Sequence, residues 1–144
     1  MKKALELAAQ AAEIGEVPVG AVLVKEDTLI AGAHNLRERL GNPIAHAEMR
    51  VLQAASEKLG NWRFVDTTLY VTLEPCPMCA GAIVLARIPK VVYAAADPKS
   101  GAAGSLYNIL QDPRLNHRVE VVSGLFAEKS ATLLKSFFRS RRAS

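Results

Sequence analysis

Two short segments hold side chains whose types and spacing suit one piece of chemistry: His46-Ala47-Glu48, and Pro75-Cys76-Pro77-Met78-Cys79. One imidazole and two thiolates form a donor set for Zn²⁺ and leave its fourth tetrahedral position to water. Zinc brings the pKa of such a water down toward ~7. Glu48, two residues from the histidine, is placed to move that water's proton as a general acid/base. The combination is that of a hydrolytic zinc centre with metal ligands His46, Cys76 and Cys79 and catalytic residue Glu48. Plainer readings exist for each residue: a satisfied surface or core histidine, an acid favoured in a first helical turn, two buried cysteines or a redox pair. Each suffices for one position, and none accounts for all four together. The chain has no other cysteine, and two cysteines three residues apart cannot staple distant parts of a fold.

The arrangement H-x-E…P-C-x-x-C is similar to the signature of zinc-dependent nucleobase deaminases. In that chemistry Glu48 passes the water's proton to a ring nitrogen, hydroxide adds to the amidine carbon, and ammonia leaves. A metalloprotease would use H-E-x-x-H, which is absent. A closed structural zinc site needs a fourth protein ligand, and the spare histidines are His34 and His117.

The elements that must carry these residues follow from periodicity. Lys2 to Ile14 sets Leu5, Ala8, Ala9 and Ala12 at helical spacing before Gly15. Val17 to Val24 and Thr28 to Ala33 read as a hairpin across Glu26-Asp27. Residues 34–45 read as a loop and His46 to Leu59 as a helix stopped by Gly60. Thr67 to Leu73 is a strand. Pro75 suits the first position of a helix that runs to about Ala86. Val91 to Ala95 and Val119 to Val122 are strands, residues 97–108 a loop, and Ala127 to Arg142 a last helix. A regular helix would point His46 and Glu48 nearly opposite ways, so His46 must lie at the irregular edge of its helix. Strands alternating with helices give an α/β chain, a three-layer α/β/α domain over residues 1–144. Its mixed five-stranded sheet should have parallel central strands and an antiparallel first hairpin.

With 144 residues, half of them hydrophobic, the chain suffices for one domain with a real core. No apolar run approaches the ~18 to 20 residues of a membrane span. Met1-Lys2-Lys3 is followed by Glu6, Gln10 and Glu13, which interrupts a signal-peptide core, so a cytoplasmic protein is expected. The net charge of +4 gathers in part at Arg139, Arg141 and Arg142. From charge alone these are either a solvated helix end or a contact for nucleic acid.

The segment Thr72-Leu73-Glu74-Pro75-Cys76-Pro77-Met78-Cys79-Ala80-Gly81-Ala82 resembles the bacterial tRNA adenosine deaminases, of the cytidine-deaminase-like superfamily. So do Gly15-Glu16-Val17-Pro18-Val19-Gly20-Ala21-Val22, Ala45 to Met49, Asp97 to Ser105, Asn116 to Glu120 and Phe137 to Arg142. The resemblance spans nearly the whole chain, with an N-terminus a few residues shorter than is usual there, so a shortened first helix is expected. It implies deamination of adenosine to inosine at the wobble position of a tRNA anticodon, one Zn²⁺ per subunit, and a homodimer whose two subunits both touch the RNA. It also implies substrate-binding roles for Asn35 and Asp97, and for Phe137, Phe138, Arg141 and Arg142 against the RNA stem. By themselves Asn35 and Asp97 also fit turns, and paired phenylalanines on a helix fit a core, so at least one Phe is expected to be buried. A deaminase of guanine, cytosine or a free nucleoside shares the zinc chemistry. It has no need of the Gly101-to-Ser105 loop or a basic last helix. A non-catalytic zinc-binding RNA module has no need of Glu48.

Overall fold

The hairpin is built where the sequence sets it. Strands β1 (Gly20–Lys25) and β2 (Thr28–His34) run antiparallel. The two residues between them, Glu26 and Asp27, both have positive φ (48° and 64°), a turn whose twist matches that of the strands. The first strand starts three residues later than its β-branched run suggests. Pro18 has no N–H to give to a ladder, and Val19 instead turns back to the Val17 carbonyl. Ahead of β1 lies helix α1 (Lys2–Glu13). Its buried stripe is Ala4, Ala8 and Ala11, turned from the expected Leu5-centred face. Gly20 explains the offset: a Cβ there would stand 2.0 Å from the Ala4 carbonyl oxygen, so the alanine face of α1 rests directly on β1.

Residues 34–45 are not all loop. They contain a one-turn helix α2 (Arg37–Leu40). Helix α3 (Ala47–Leu59) follows and ends on Gly60 in the left-handed conformation (φ 64°), as expected. After strand β3 (Thr67–Leu73) the chain enters helix α4 (Pro77–Leu85). Here the reading of Pro75 as first helical residue is corrected: Cys76 is the N-cap and Pro77 opens the helix. Pro77 lacks the N–H that a first turn leaves unsatisfied. The Pro75 carbonyl is used outside the helix, accepting from the Ala102 N–H at 2.8 Å. Strands β4 (Lys90–Ala95) and β5 (Glu120–Ser123) and helix α5 (Ala127–Ala143) complete the chain.

This computed structural model describes residues 1–143. The sheet order is β2-β1-β3-β4-β5. β1 is antiparallel to both neighbours, while β3–β4 and β4–β5 are parallel. Helices α1 and α5 pack on each other and on one face of the sheet, and α3 covers β1 and β2 with α4 beside it. β4 is buried from Val91 through Ala95, as a central strand covered on both faces requires. Leu23, Leu69, Ile83, Ile88 and Leu110 are the largest apolar side chains sealed between the layers. No helix among the described residues is long and apolar enough to cross a membrane.

Candidate metal centre and active site

Both halves of the centre stand at helix starts. His46 is the N-cap of α3 with extended backbone (φ −69°, ψ 154°), and Cys76 the N-cap of α4 (φ −75°, ψ 173°). The extended backbone at His46 lets it and Glu48 address one point although they are two residues apart. Cys79, one turn into α4, is fully buried. His46, Cys76 and Cys79 bring one donor atom each within 4.8 Å of one another. His46 Nδ1 lies 3.6 Å from Cys76 Sγ and 3.5 Å from Cys79 Sγ. A tetrahedral zinc ~2.0 Å from nitrogen and ~2.3 Å from sulfur sets those atoms about 3.5 Å apart. The donors therefore fit zinc in kind and in separation, and Nδ1 is the imidazole nitrogen that faces both sulfurs.

The two spare histidines are engaged elsewhere. His34 Nδ1 is 2.9 Å from the Asn35 carbonyl, and His117 Nε2 is 2.8 Å from that of Ile88. Among the described residues the cluster has three protein donors, the pattern of an open catalytic site.

The protonation of the cluster follows from its contacts. A hydrogen bond from Cys79, joined by one from His46, lowers the Cys76 thiol to about 4. The same bond with Cys76, and burial, push the Cys79 thiol up. The Cys76 hydrogen bond holds the His46 imidazole above its ordinary value against the effect of burial. Cys76 is thus a ready thiolate, and a bound metal would deprotonate Cys79 as well. Glu48 is 4% exposed, and burial raises its carboxyl to about 7. A carboxyl poised near neutrality can both accept and return a proton.

Asn35 is buried, and the N–H of the next residue, Leu36, pairs with the carbonyl of Ala45, the residue before His46. Its Oδ1 accepts from the Arg37 N–H at 3.1 Å and its Nδ2 donates to the Val17 carbonyl at 3.4 Å. Buried Glu16 accepts from the N–H groups of Glu38 and Arg39. Together Glu16 and Asn35 cap α2. Asp97 folds its own turn: Oδ1 accepts from the Lys99 and Ser100 N–H groups and Oδ2 from the Ser100 hydroxyl.

On α5 the two phenylalanines part company. Phe137 is buried and meets Phe138 edge-on at 5.3 Å, while Phe138 is 44% exposed. Phe137 therefore belongs to packing. Arg141 lies over the Phe137 ring at 5.1 Å and donates to the Gly15 carbonyl at 2.8 Å, tying α5 to the end of α1. Phe138, Arg139 and Arg142 line a groove of about 500 Å³ with Lys99 and Lys135. Two features escape a reading of the sequence. Glu74 is buried and holds the 97–105 segment. An apolar groove of about 480 Å³ runs along α3 and α4 past Leu40, Ile44, Trp62 and Leu85. Only a cluster of large apolar residues scattered over three segments hints at the groove, and nothing marks Glu74 as different from a surface acid.

The sequence pattern of the MafB19-like deaminases matches residues 1–142. The tRNA-specific adenosine deaminase of Bacillus subtilis (strain 168) is 56% identical over 142 residues, 99% of this chain and 88% of that protein. The protein of that name from Haemophilus influenzae is 47% identical over 143 residues, 99% and 83% of the two chains. A structure solved in a study of A-to-I editing by tRNA:A34 deaminases superposes with a TM-score of 0.90 at 46% identity, covering 93% of this chain and 97% of that one. Guanine deaminase from Bacillus subtilis is more distant, with a TM-score of 0.66 at 31% identity over 99% and 91% of the chains. With a three-donor centre, a buried carboxylate beside it and relatives that match this chain along almost its whole length, the chain belongs to the MafB19-like deaminases and, among them, to the tRNA-specific adenosine deaminase family.

Proposed function

We propose that this protein deaminates adenosine to inosine hydrolytically at the wobble position of a tRNA anticodon stem-loop. The observation that carries the reading is the His46, Cys76, Cys79 cluster with Glu48 buried against it. His46, Cys76 and Cys79 would hold one Zn²⁺ per chain, which supplies the Lewis acidity that makes a water nucleophilic near neutral pH. Glu48 takes a proton from the attacking water and delivers it to the purine ring nitrogen next to the reacting carbon. Carbon–oxygen bond formation gives a tetrahedral carbon that bears both hydroxyl and amine. Glu48 then moves the hydroxyl proton to the amine, the C–N bond breaks, and ammonia departs. Adenosine and water are consumed; inosine and ammonia are formed.

Asn35 positions the purine by its polar edge, and Asp97 shapes the turn beside the nucleotide. A target base must leave its stack to enter such a pocket, which costs less in an anticodon loop than in a duplex. The groove of Lys99, Lys135, Phe138, Arg139 and Arg142 is cationic with an exposed aromatic ring, a surface suited to an RNA backbone. Phe137 and Arg141 serve that surface by holding α5 in place. The groove along α3 and α4 is bordered by the exposed Leu85 (69%), Trp62 (61%), Leu40 (58%) and Ile44 (51%). Exposed apolar side chains gathered in this way suit a protein contact, and we assign this face to a second copy of the chain in a homodimer. The reaction takes place in the cytoplasm.

The experiment is to incubate zinc-loaded protein with an adenosine-34 stem-loop, and separately with free adenosine, adenine, guanine and cytidine. Inosine in the stem-loop alone is the expected result. Ammonia from a free base with an untouched stem-loop would keep the zinc chemistry and transfer the chain to the small-molecule deaminases.

A further inference from the structure

Glu74 follows β3 directly and precedes Cys76 by two residues. It is 2% exposed, and among the described residues no lysine or arginine forms an ion pair with it. A buried carboxylate without a cation is tolerated only when its lone pairs are filled by good donors. All of its side-chain donors come from one segment. Oε1 accepts from the Asp97 N–H at 3.0 Å and from the Ser105 hydroxyl; Oε2 accepts from the N–H groups of Ala103 at 2.9 Å and Ser105 at 3.0 Å. Gly101 presses on the same group, where a Cβ would stand 2.3 Å from the carboxyl carbon. The Ala102 N–H meets the next residue, donating to the Pro75 carbonyl. Residues 97–105 are wrapped around the Glu74 carboxylate, and that carboxylate belongs to the turn that delivers Cys76.

The outer side of the same loop faces solvent. Lys99 lines the cationic groove with Phe138, Arg139 and Arg142, and Leu106 and Tyr107 just beyond are 53% and 58% exposed. We propose that Glu74 is a positioning residue whose buried carboxylate templates the 97–105 loop and so fixes the RNA-facing wall relative to the metal-bearing turn. It touches neither RNA nor metal. The kinetic consequence rests on the tRNA reading above; the templating itself does not.

The test compares wild type with Glu74→Gln, Gly101→Ala and Ser105→Ala. Glu74→Gln keeps the shape of the side chain but turns an N–H₂ donor toward backbone donors. Gly101→Ala adds a methyl that displaces the carboxylate, and Ser105→Ala removes one donor only. Three quantities are read: zinc per chain, hydrogen exchange of the amides of Ala103 and Ser105, and KM and kcat on the adenosine-34 stem-loop. The expected result is unchanged zinc and faster exchange of the amides at positions 103 and 105. KM rises roughly tenfold, equivalent to about 1.4 kcal/mol, for Glu74→Gln and Gly101→Ala, with kcat nearly unchanged. Ser105→Ala moves the same way by less. Unaltered exchange and KM in folded Glu74→Gln overturn the proposal, as does zinc loss or a fall in kcat at constant KM. Should Glu74→Gln fail to fold, Ser105→Ala decides, since unaltered exchange there overturns it equally. Wild type inactive on the stem-loop would defeat the RNA reading while the exchange measurement still judges the templating.

Discussion

Replacing Glu48 by glutamine should separate three properties that a single carboxylate now joins: metal binding, turnover and stability. Glu48 lies outside the His46, Cys76 and Cys79 donor group, so zinc content should match that of wild type. Turnover should fall by roughly 10²- to 10⁴-fold or more, the range for loss of a positioned acid/base. Stability should move the opposite way. Burial raises the Glu48 carboxyl from 4.5 to about 7, which at about 1.4 kcal/mol for each pH unit corresponds to on the order of 3 kcal/mol. The folded pKa lies above the unfolded one, so between about 4.5 and about 7 the native state holds the extra proton. Stability of the metal-free protein therefore falls as pH rises through that window, and the loss is complete above it. The amide introduced by Glu48→Gln carries no proton to lose and escapes the fall.

The assay is urea denaturation of chelator-treated wild type and Glu48→Gln at pH 4.5 and pH 8, repeated with zinc restored. The two proteins should be nearly alike at pH 4.5. At pH 8 the variant should be the more stable by up to on the order of 3 kcal/mol. Zinc, by favouring the ionised carboxylate with its positive charge, should narrow the gap. A gap independent of pH would show that burial does not set the Glu48 carboxyl. Loss of zinc in the variant would break the assignment of Glu48 as proton carrier.

Further outcomes can be checked separately. Arg139→Ala with Arg142→Ala should weaken stem-loop binding and lower the slope of log K against log salt by about 1.4 to 1.8, two phosphate contacts' worth; an unchanged slope would mean these arginines are merely solvated. Leu85→Glu places a charge on the most exposed apolar residue of the α3/α4 face and should convert the dimer to monomer in sedimentation, whereas a wild type that sediments as monomer refutes the assignment of that face. The Arg114 hydrogen bond holds the Asp112 carboxyl at about 2. NMR titration of Arg114→Ala should return Asp112 toward ~3.9. Because the folded pKa is depressed, the pair's contribution is present above about 4 and lost as pH falls toward 2; a midpoint that does not move would reassign the cause.

What the sequence disclosed depended on whether the deciding interaction was local. The sheet, its hairpin and helix α3 are set by alternation, by a two-residue turn and by Gly60, all signals within a few residues. The one-turn α2 has no apolar stripe, and one of its caps, Glu16, comes from more than twenty residues away. Pro75 and Pro77 both suit a helix start, and the choice between them accompanies a contact from Ala102. Phe137 and Phe138 are the same residue type; only the seating of α5 on the sheet makes one a core residue and the other a groove residue. The grouping of His46, Cys76 and Cys79 with Glu48 was legible because chemistry restricts the residue types. Asn35 and Asp97 were named by resemblance alone, and Glu74 was not named at all, because the backbone groups that hold these three side chains form no pattern in the sequence.

The use of N-cap positions for His46 and Cys76 ties these observations together. An N-cap residue has extended backbone while its successors are helical, so a side chain there leaves in a direction unavailable to the helix interior. That is how H-x-E, with a spacing wrong for one helical face, converges on a single centre, and how Cys76 and Cys79 close on it from the other side. Both helix starts also turn their positive ends toward the centre, which favours the thiolate of Cys76. The same geometry puts Glu48 in the first turn of α3, where that field favours a carboxylate, yet burial prevails and its carboxyl rises to about 7. Desolvation therefore decides the protonation of Glu48, and a substitution that admits water to its side chain should lower that value even with every donor in the cluster left in place.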